Sequence, residues 1–183
     1  MSETLEIATS ESKSEIYETL LPQIDALIDA EPDPVATMAN VASALWMTFG
    51  HLWTGFYRVV DGQLILGPFQ GPLACTRIRY GRGVCGTAWA EKRTLVVPDV
   101  DQFPGHIACS SSSRSEIVVP IFRSADKAPI AGECSKAGSG SEAADDREVV
   151  GLIDIDSAHL AAFDEVDAHY LRLVAASLSK ILG

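Results

Sequence analysis

The chain has 183 residues and carries 14 Lys+Arg against 25 Asp+Glu, a formal net charge of −11. That balance excludes a nucleic-acid partner and disfavours anionic membranes, because both need a cationic footprint. Hydrophobic residues make up 47% and charged residues 21%, which places the chain among globular proteins, and its length is that of one domain with a real core.

Residues 1–13 are polar and aperiodic and are read as a flexible N-terminal tail, with a single domain over 14–183. The tail lacks the basic flank and apolar run of a signal peptide, and no apolar stretch reaches the roughly 20 residues of a membrane helix, so the reading is a cytoplasmic protein. From about Ser14, a stripe of Ile16, Leu20, Leu21, Ile24, Leu27 and Ile28 has helical spacing, with Pro22 able to kink it. After Pro34 a second helix is expected to run to about Phe49, with Met38, Val41, Leu45 and Trp46 on one face and Gly50 as its stop. From Trp53 the pattern changes to strands, and the Asp61-Gly62 turn between two apolar runs marks a hairpin.

A third extended segment is expected after Cys75, then glycine-rich backbone from Gly81 to Gly86, a short helix over Thr87 to Glu91, and a strand from Thr94. Asp99 to Ser113 reads as a surface loop that holds Cys109. The segments Ile117 to Phe122 and Val149 to Ile155 pair naturally as a hairpin around an Ala-, Gly- and Ser-rich stretch at about 124–147, read as a flexible insertion that contains Cys134. Asp164 to Leu182 closes the chain as an amphipathic helix, with Val166, Tyr170, Leu173, Val174, Leu178 and Ile181 as its apolar positions. The fold class is α+β, a central antiparallel sheet with terminal helices on one face.

The four cysteines are Cys75, Cys85, Cys109 and Cys134. In a reducing compartment they point to catalysis or metal binding more than to structural staples. C-x-x-C and H-x-x-H pairs are absent, and the spacings of Cys75, Cys85 and Cys109 match no usual structural zinc arrangement, so no metal is assigned. Free cysteine is also a common buried hydrophobe, and spacing alone leaves that alternative open. Along Gly151 to Ser157, Asp154 and Asp156 alternate with Ile153 and Ile155, so both carboxylates leave one face of a strand. Such a pair is either solvated or binds a cation, a metal or a polar ligand, and Glu116 on the expected neighbouring strand adds a third carboxylate.

The runs Trp53 to Tyr57, Gly67 to Cys75, Gly81 to Trp89, Pro98 to Cys109, Ser115 to Pro120 and Gly151 to Ser157 together closely resemble the free methionine-(R)-sulfoxide reductases, which are GAF-domain enzymes. The resemblance covers the chain from about Ser14 apart from the insertion. It implies a GAF fold with active-site loops on the sheet face opposite the helices. It makes Cys109 the nucleophile, Cys75 the main resolving cysteine and Cys85 an auxiliary thiol. By the same resemblance Glu116 and Asp156 grip the sulfoxide oxygen, Asp154 suits the substrate ammonium, and Trp53 and Tyr57 wall the methyl end. No cofactor is implied beyond an external dithiol, thioredoxin, and the implied assembly is a homodimer. Cys134 and His106 are read as bystanders. The competing readings are a non-catalytic GAF small-molecule sensor, disfavoured by the missing output domain, and a zinc-binding interaction protein.

Overall fold

Local signals explain where the helices begin and end in the computed structural model, which describes residues 4–9, 12–106, 111–124 and 147–182. Helix α1 (Lys13–Ala30) carries Pro22 on its exposed side without breaking. Helix α2 (Pro34–Phe49) starts where the Asp33 carboxylate accepts the N–H groups of Val35 and Ala36, each at 2.9 Å, with Pro34 at a position that needs no N–H. Gly50 ends it in the left-handed region at φ 64°, its N–H returning to the Trp46 carbonyl.

The chain then builds an antiparallel sheet. Strands β1 (Trp53–Val60) and β2 (Gln63–Gln70) form the expected hairpin, with Asp61 and Gly62 at φ 49° and 72° as its turn. Strands β3 (Arg77–Arg79), β4 (Leu95–Val97), β5 (Ser115–Phe122) and β6 (Val149–Ser157) complete the order β3-β2-β1-β6-β5-β4. Every neighbouring pair is antiparallel, and β5 meets β6 with Ile117 opposite Ile155. The α+β class and the central antiparallel sheet therefore hold. The body of the expected insertion, 125–146 with Cys134, lies outside the described residues.

Alternation along the strands sorts the sheet's two faces. Phe56, Ile117, Val119, Ile121, Ile153 and Ile155 point to one side and join the apolar stripes of α1, α2 and α4 (Glu165–Leu182) in one core. Trp53, Tyr57, Val118 and Leu152 point to the other, where α3 (Gly83–Glu91) covers them with Val84, Cys85 and Ala88. Leu5 packs against the helical core and Glu6 exchanges backbone hydrogen bonds with the Gln23 amide, so part of the N-terminal tail is engaged with α1.

The helical stripes are rotated from the sequence reading in three places. Tyr17 belongs to the core of α1, Trp46 is exposed on α2, and Leu173 is exposed on α4 while Leu171 is buried. The cause on α4 is polar. Asp167, 1% exposed, accepts from the Tyr17 hydroxyl at 3.0 Å and pairs with Lys13. At about 100° per residue, inward Asp167 brings Leu171, Val174 and Leu178 inward as well and turns Leu173 out. Among the described residues, no helix is long and apolar enough to cross a membrane.

Candidate active site

Strand register assembles the site before any loop contributes. On the face opposite the three long helices, Trp53 of β1 lies beside Asp156 of β6, which lies beside Glu116 of β5. One step along, Gly55 lies beside Asp154 and Asp154 beside Val118. Adjacent strands thus bring Glu116, distant in sequence, to the pair Asp154 and Asp156. Gly55 is small for a reason: a Cβ there would lie 2.5 Å from Trp53 Cη2 and 2.4 Å from Phe69 Cβ. The indole lies across the bare backbone instead, stacked with Phe69 at 5.3 Å and Tyr57 at 6.1 Å between centroids.

Helix α3 supplies the lid over this row. It begins at Gly83, earlier than the expected Thr87, so Cys85 lies in its first turn and not in a preceding loop. Gly86 permits this close seating, since a Cβ would come 2.5 Å from the Arg79 carbonyl, and the Gly81 N–H bonds to the Gly86 carbonyl at 2.9 Å. The Cys85 thiol, fully buried among carboxyls, stands 3.8 Å from Glu116 Oε1. One ligand atom each of Cys85, Glu116 and Asp154 falls within 4.8 Å of the other two. Asp156 accepts from the Ser113 hydroxyl at 2.5 Å, and the Tyr57 hydroxyl donates to the Cys75 carbonyl at 2.9 Å.

Trp53, Tyr57, Cys85, Ser113 and the three carboxyls line one open cavity, together with Arg82, His106, Leu73, Ala74, Ile78 and Val84. Burial holds the Glu116 and Asp154 carboxyls well above the usual carboxylate range; repulsion from Asp154 and Asp156 adds to the effect at Glu116, and repulsion from Asp156 adds to it at Asp154. Burial raises Asp156 to about 6, with the Ser113 hydroxyl pulling the other way. The Cys85 thiol is raised by burial and then by the facing carboxylates, which makes it a poor nucleophile as it stands. Buried carboxyls that keep protons near neutrality can donate them to a polarised oxygen, and can release them when a cation arrives. Asp154 Oδ1 and Trp53 Nε1 are buried without a hydrogen-bond partner among the described residues, so the cavity wall holds an acceptor and a donor ready for a ligand.

Of the residues singled out in the sequence, Trp53, Tyr57, Cys85, Glu116, Asp154 and Asp156 meet at this cavity. Cys75 lies beside it, half-buried and disulfide-bonded, with Cys85 a free thiol. Cys109 lies outside the described residues, although His106 before it and Ser113 after it both line the cavity. Sequence reasoning missed Arg82 and Ser113. Arg82 sat unremarked between two glycines, and nothing in a run of four serines distinguishes the one whose hydroxyl reaches Asp156.

Comparison with known proteins gives a concordant result. Residues 24–182 match the GAF domain model. The chain is 48% identical to GAF domain-containing protein A of Dictyostelium discoideum, covering 95% of this chain and 96% of that one. It is 38% identical to a free methionine-R-sulfoxide reductase of Saccharomyces cerevisiae, covering 92% and 87%. In structure it resembles the free methionine-R-sulfoxide reductase of Neisseria meningitidis solved in complex with its substrate, with a TM-score of 0.83, 47% identity, and coverage of 98% and 95%.

Proposed function

This chain belongs to the GAF-domain family and, within it, to the free methionine-R-sulfoxide reductases, and from that membership we propose that it reduces free L-methionine-(R)-sulfoxide to L-methionine. The observation that carries the reading is the convergence of two buried carboxyls, a half-buried third, an aromatic wall and the Cys85 thiol on one cavity. In this reading Cys109 attacks the sulfoxide sulfur as thiolate. The oxygen passes to the cysteine as a sulfenic acid while methionine leaves, and Glu116 and Asp156 grip that oxygen and supply protons. The sulfenic acid then condenses with the Cys75 thiol, releasing water and forming a disulfide. That Cys75 is disulfide-bonded while Cys85 is not supports Cys75 as the resolving residue and Cys85 as auxiliary.

Asp154 binds the substrate ammonium, whose charge draws the proton from the buried carboxyl and offsets the crowding of like charges. Trp53 and Tyr57 hold the S-methyl end. The substrate carboxylate faces the start of α3, where Arg82 provides a cation in an otherwise acidic cavity. A site that satisfies both charged ends rejects the same residue inside a polypeptide. Electrons come from an external dithiol, thioredoxin, with no bound cofactor, and the protein works as a cytoplasmic homodimer.

The test is turnover of the R and S epimers of free methionine sulfoxide with dithiothreitol or thioredoxin, alongside Cys109→Ser. R-selective turnover that Cys109→Ser abolishes is the expected result. Absence of turnover of either epimer by fully reduced protein would overturn the enzymatic reading in favour of a ligand-sensing module.

A further inference from the structure

We infer that the inner wall of the cavity is also a site for a thiophilic divalent cation, zinc in the first place, held by the Cys85 thiolate, Glu116 and Asp154, and that the ion excludes substrate. The inference rests on donor geometry and not on the identity of the substrate. The three donors come from α3, β5 and β6, and one ligand atom of each lies within 4.8 Å of the others. A tetrahedral zinc has metal–sulfur and metal–oxygen distances of about 2.3 and 2.0–2.2 Å, which sets sulfur and oxygen roughly 3.5 Å apart. Cys85 Sγ already stands 3.8 Å from Glu116 Oε1. Closing the set takes small side-chain rotations.

A second observation points to a ligand. Asp154 is 6% exposed, and its Oδ1 has no hydrogen-bond partner among the described residues. Among those residues, no Lys or Arg forms an ion pair with Glu116, Asp154 or Asp156. A buried, uncompensated group of acids with one sulfur among them gains most from a doubly charged ion. The sulfur favours zinc or cadmium over magnesium or calcium, which prefer oxygen donors alone. The open side of the cavity leaves the fourth coordination position to water. Binding replaces the thiol proton, Cys85–SH and M²⁺ giving Cys85–S–M⁺ and H⁺, and it also displaces the protons held by the Glu116 and Asp154 carboxyls, so affinity rises with pH. The ion takes the carboxylates that would otherwise receive a cationic ligand, and the two compete.

The experiment uses the full chain in its disulfide form, carrying Cys134→Ser to remove that thiol, with cadmium as spectroscopic probe and no sulfoxide present. One cadmium per chain retained through gel filtration, with a thiolate-to-metal charge-transfer band in the ultraviolet, is expected. Cys85→Ser should lose both, and Asp154→Asn should weaken binding about tenfold or more with the thiol intact. Zinc should raise the melting temperature of the parent but not of Cys85→Ser, and excess magnesium should not displace cadmium. No retained metal, or parental affinity in Asp154→Asn, overturns the site even if Cys85→Ser fails to fold. Because these arms use no substrate, a chain that binds cadmium but turns over no sulfoxide would refute the proposed reductase and leave the metal site standing.

Discussion

Asp156 is a carboxyl through which pH acts on this site. Burial raises it from 3.8 to about 6. A carboxyl raised on folding stabilises the native state fully below its unfolded value, and that contribution is lost as pH rises through the folded value. The parent should therefore lose stability relative to Asp156→Asn between about pH 4 and 7, by up to about 3 kcal/mol. Urea unfolding of both proteins across that range checks it, and parallel curves would contradict it. Tyr57 offers a second residue-scale test. Its hydroxyl holds the Cys75 carbonyl, and a single hydrogen bond of this kind contributes about 1 kcal/mol. Tyr57→Phe should slow disulfide formation about fivefold, visible as slower thiol loss after one turnover, while methionine release in that first turnover stays close to parental. The carboxyls and aromatic rings of the site were readable as residue types. Their shared row was not, because it depends on which strand lies beside which.

Helix placement depends on a few polar contacts as much as on apolar stripes. The bond from Tyr17 to Asp167 and the pair with Lys13 tie α1 to α4 across most of the chain. Asp167→Ala would leave a buried tyrosine hydroxyl, 1% exposed as a residue, without its acceptor. The expected cost is about 2–4 kcal/mol, measurable as a lower urea midpoint with an unchanged slope. At α3 the decisive contact is backbone on backbone. Gly86→Ala would push a Cβ into the Arg79 carbonyl, so it should displace Cys85 and depress sulfoxide turnover more than it depresses the melting temperature. Turnover at the parental rate would refute that seating. The boundaries of α2 were legible because Asp33, Pro34 and Gly50 act within one or two residues of themselves. The start of α3 was not, because glycines that read as a turn serve here to let a helix approach a strand.

Across the whole molecule, the acidic balance of −11 and the concentration of carboxyls at one cavity favour cationic over anionic groups at its surface. The proposed homodimer predicts two chains per particle in sedimentation at micromolar concentration, and monomer alone would remove it. α2 exposes Val35, Trp46 and Met47, and the periodicity of that helix did not separate Trp46 from the core positions. An apolar residue carries the same sequence signal whether it meets the protein's own interior or the outside.

Local rules sufficed for whatever the chain decides over a few residues. The order of helices and strands, the Asp61-Gly62 hairpin and the capped ends of α2 follow from backbone preferences and from hydrogen bonds to near neighbours. The alternation of Asp154 and Asp156 fixed that both carboxyls share a face. Which face, and in whose company, was settled only by the sheet order, which puts Trp53 and Glu116 on either side of Asp156 and brings Cys85 down on them from α3. Those residues lie 31 or more positions apart along the chain, so their meeting, and the raised carboxyls and thiol that result from it, belong to the tertiary structure: burial and repulsion between like charges exist only once the strands are paired.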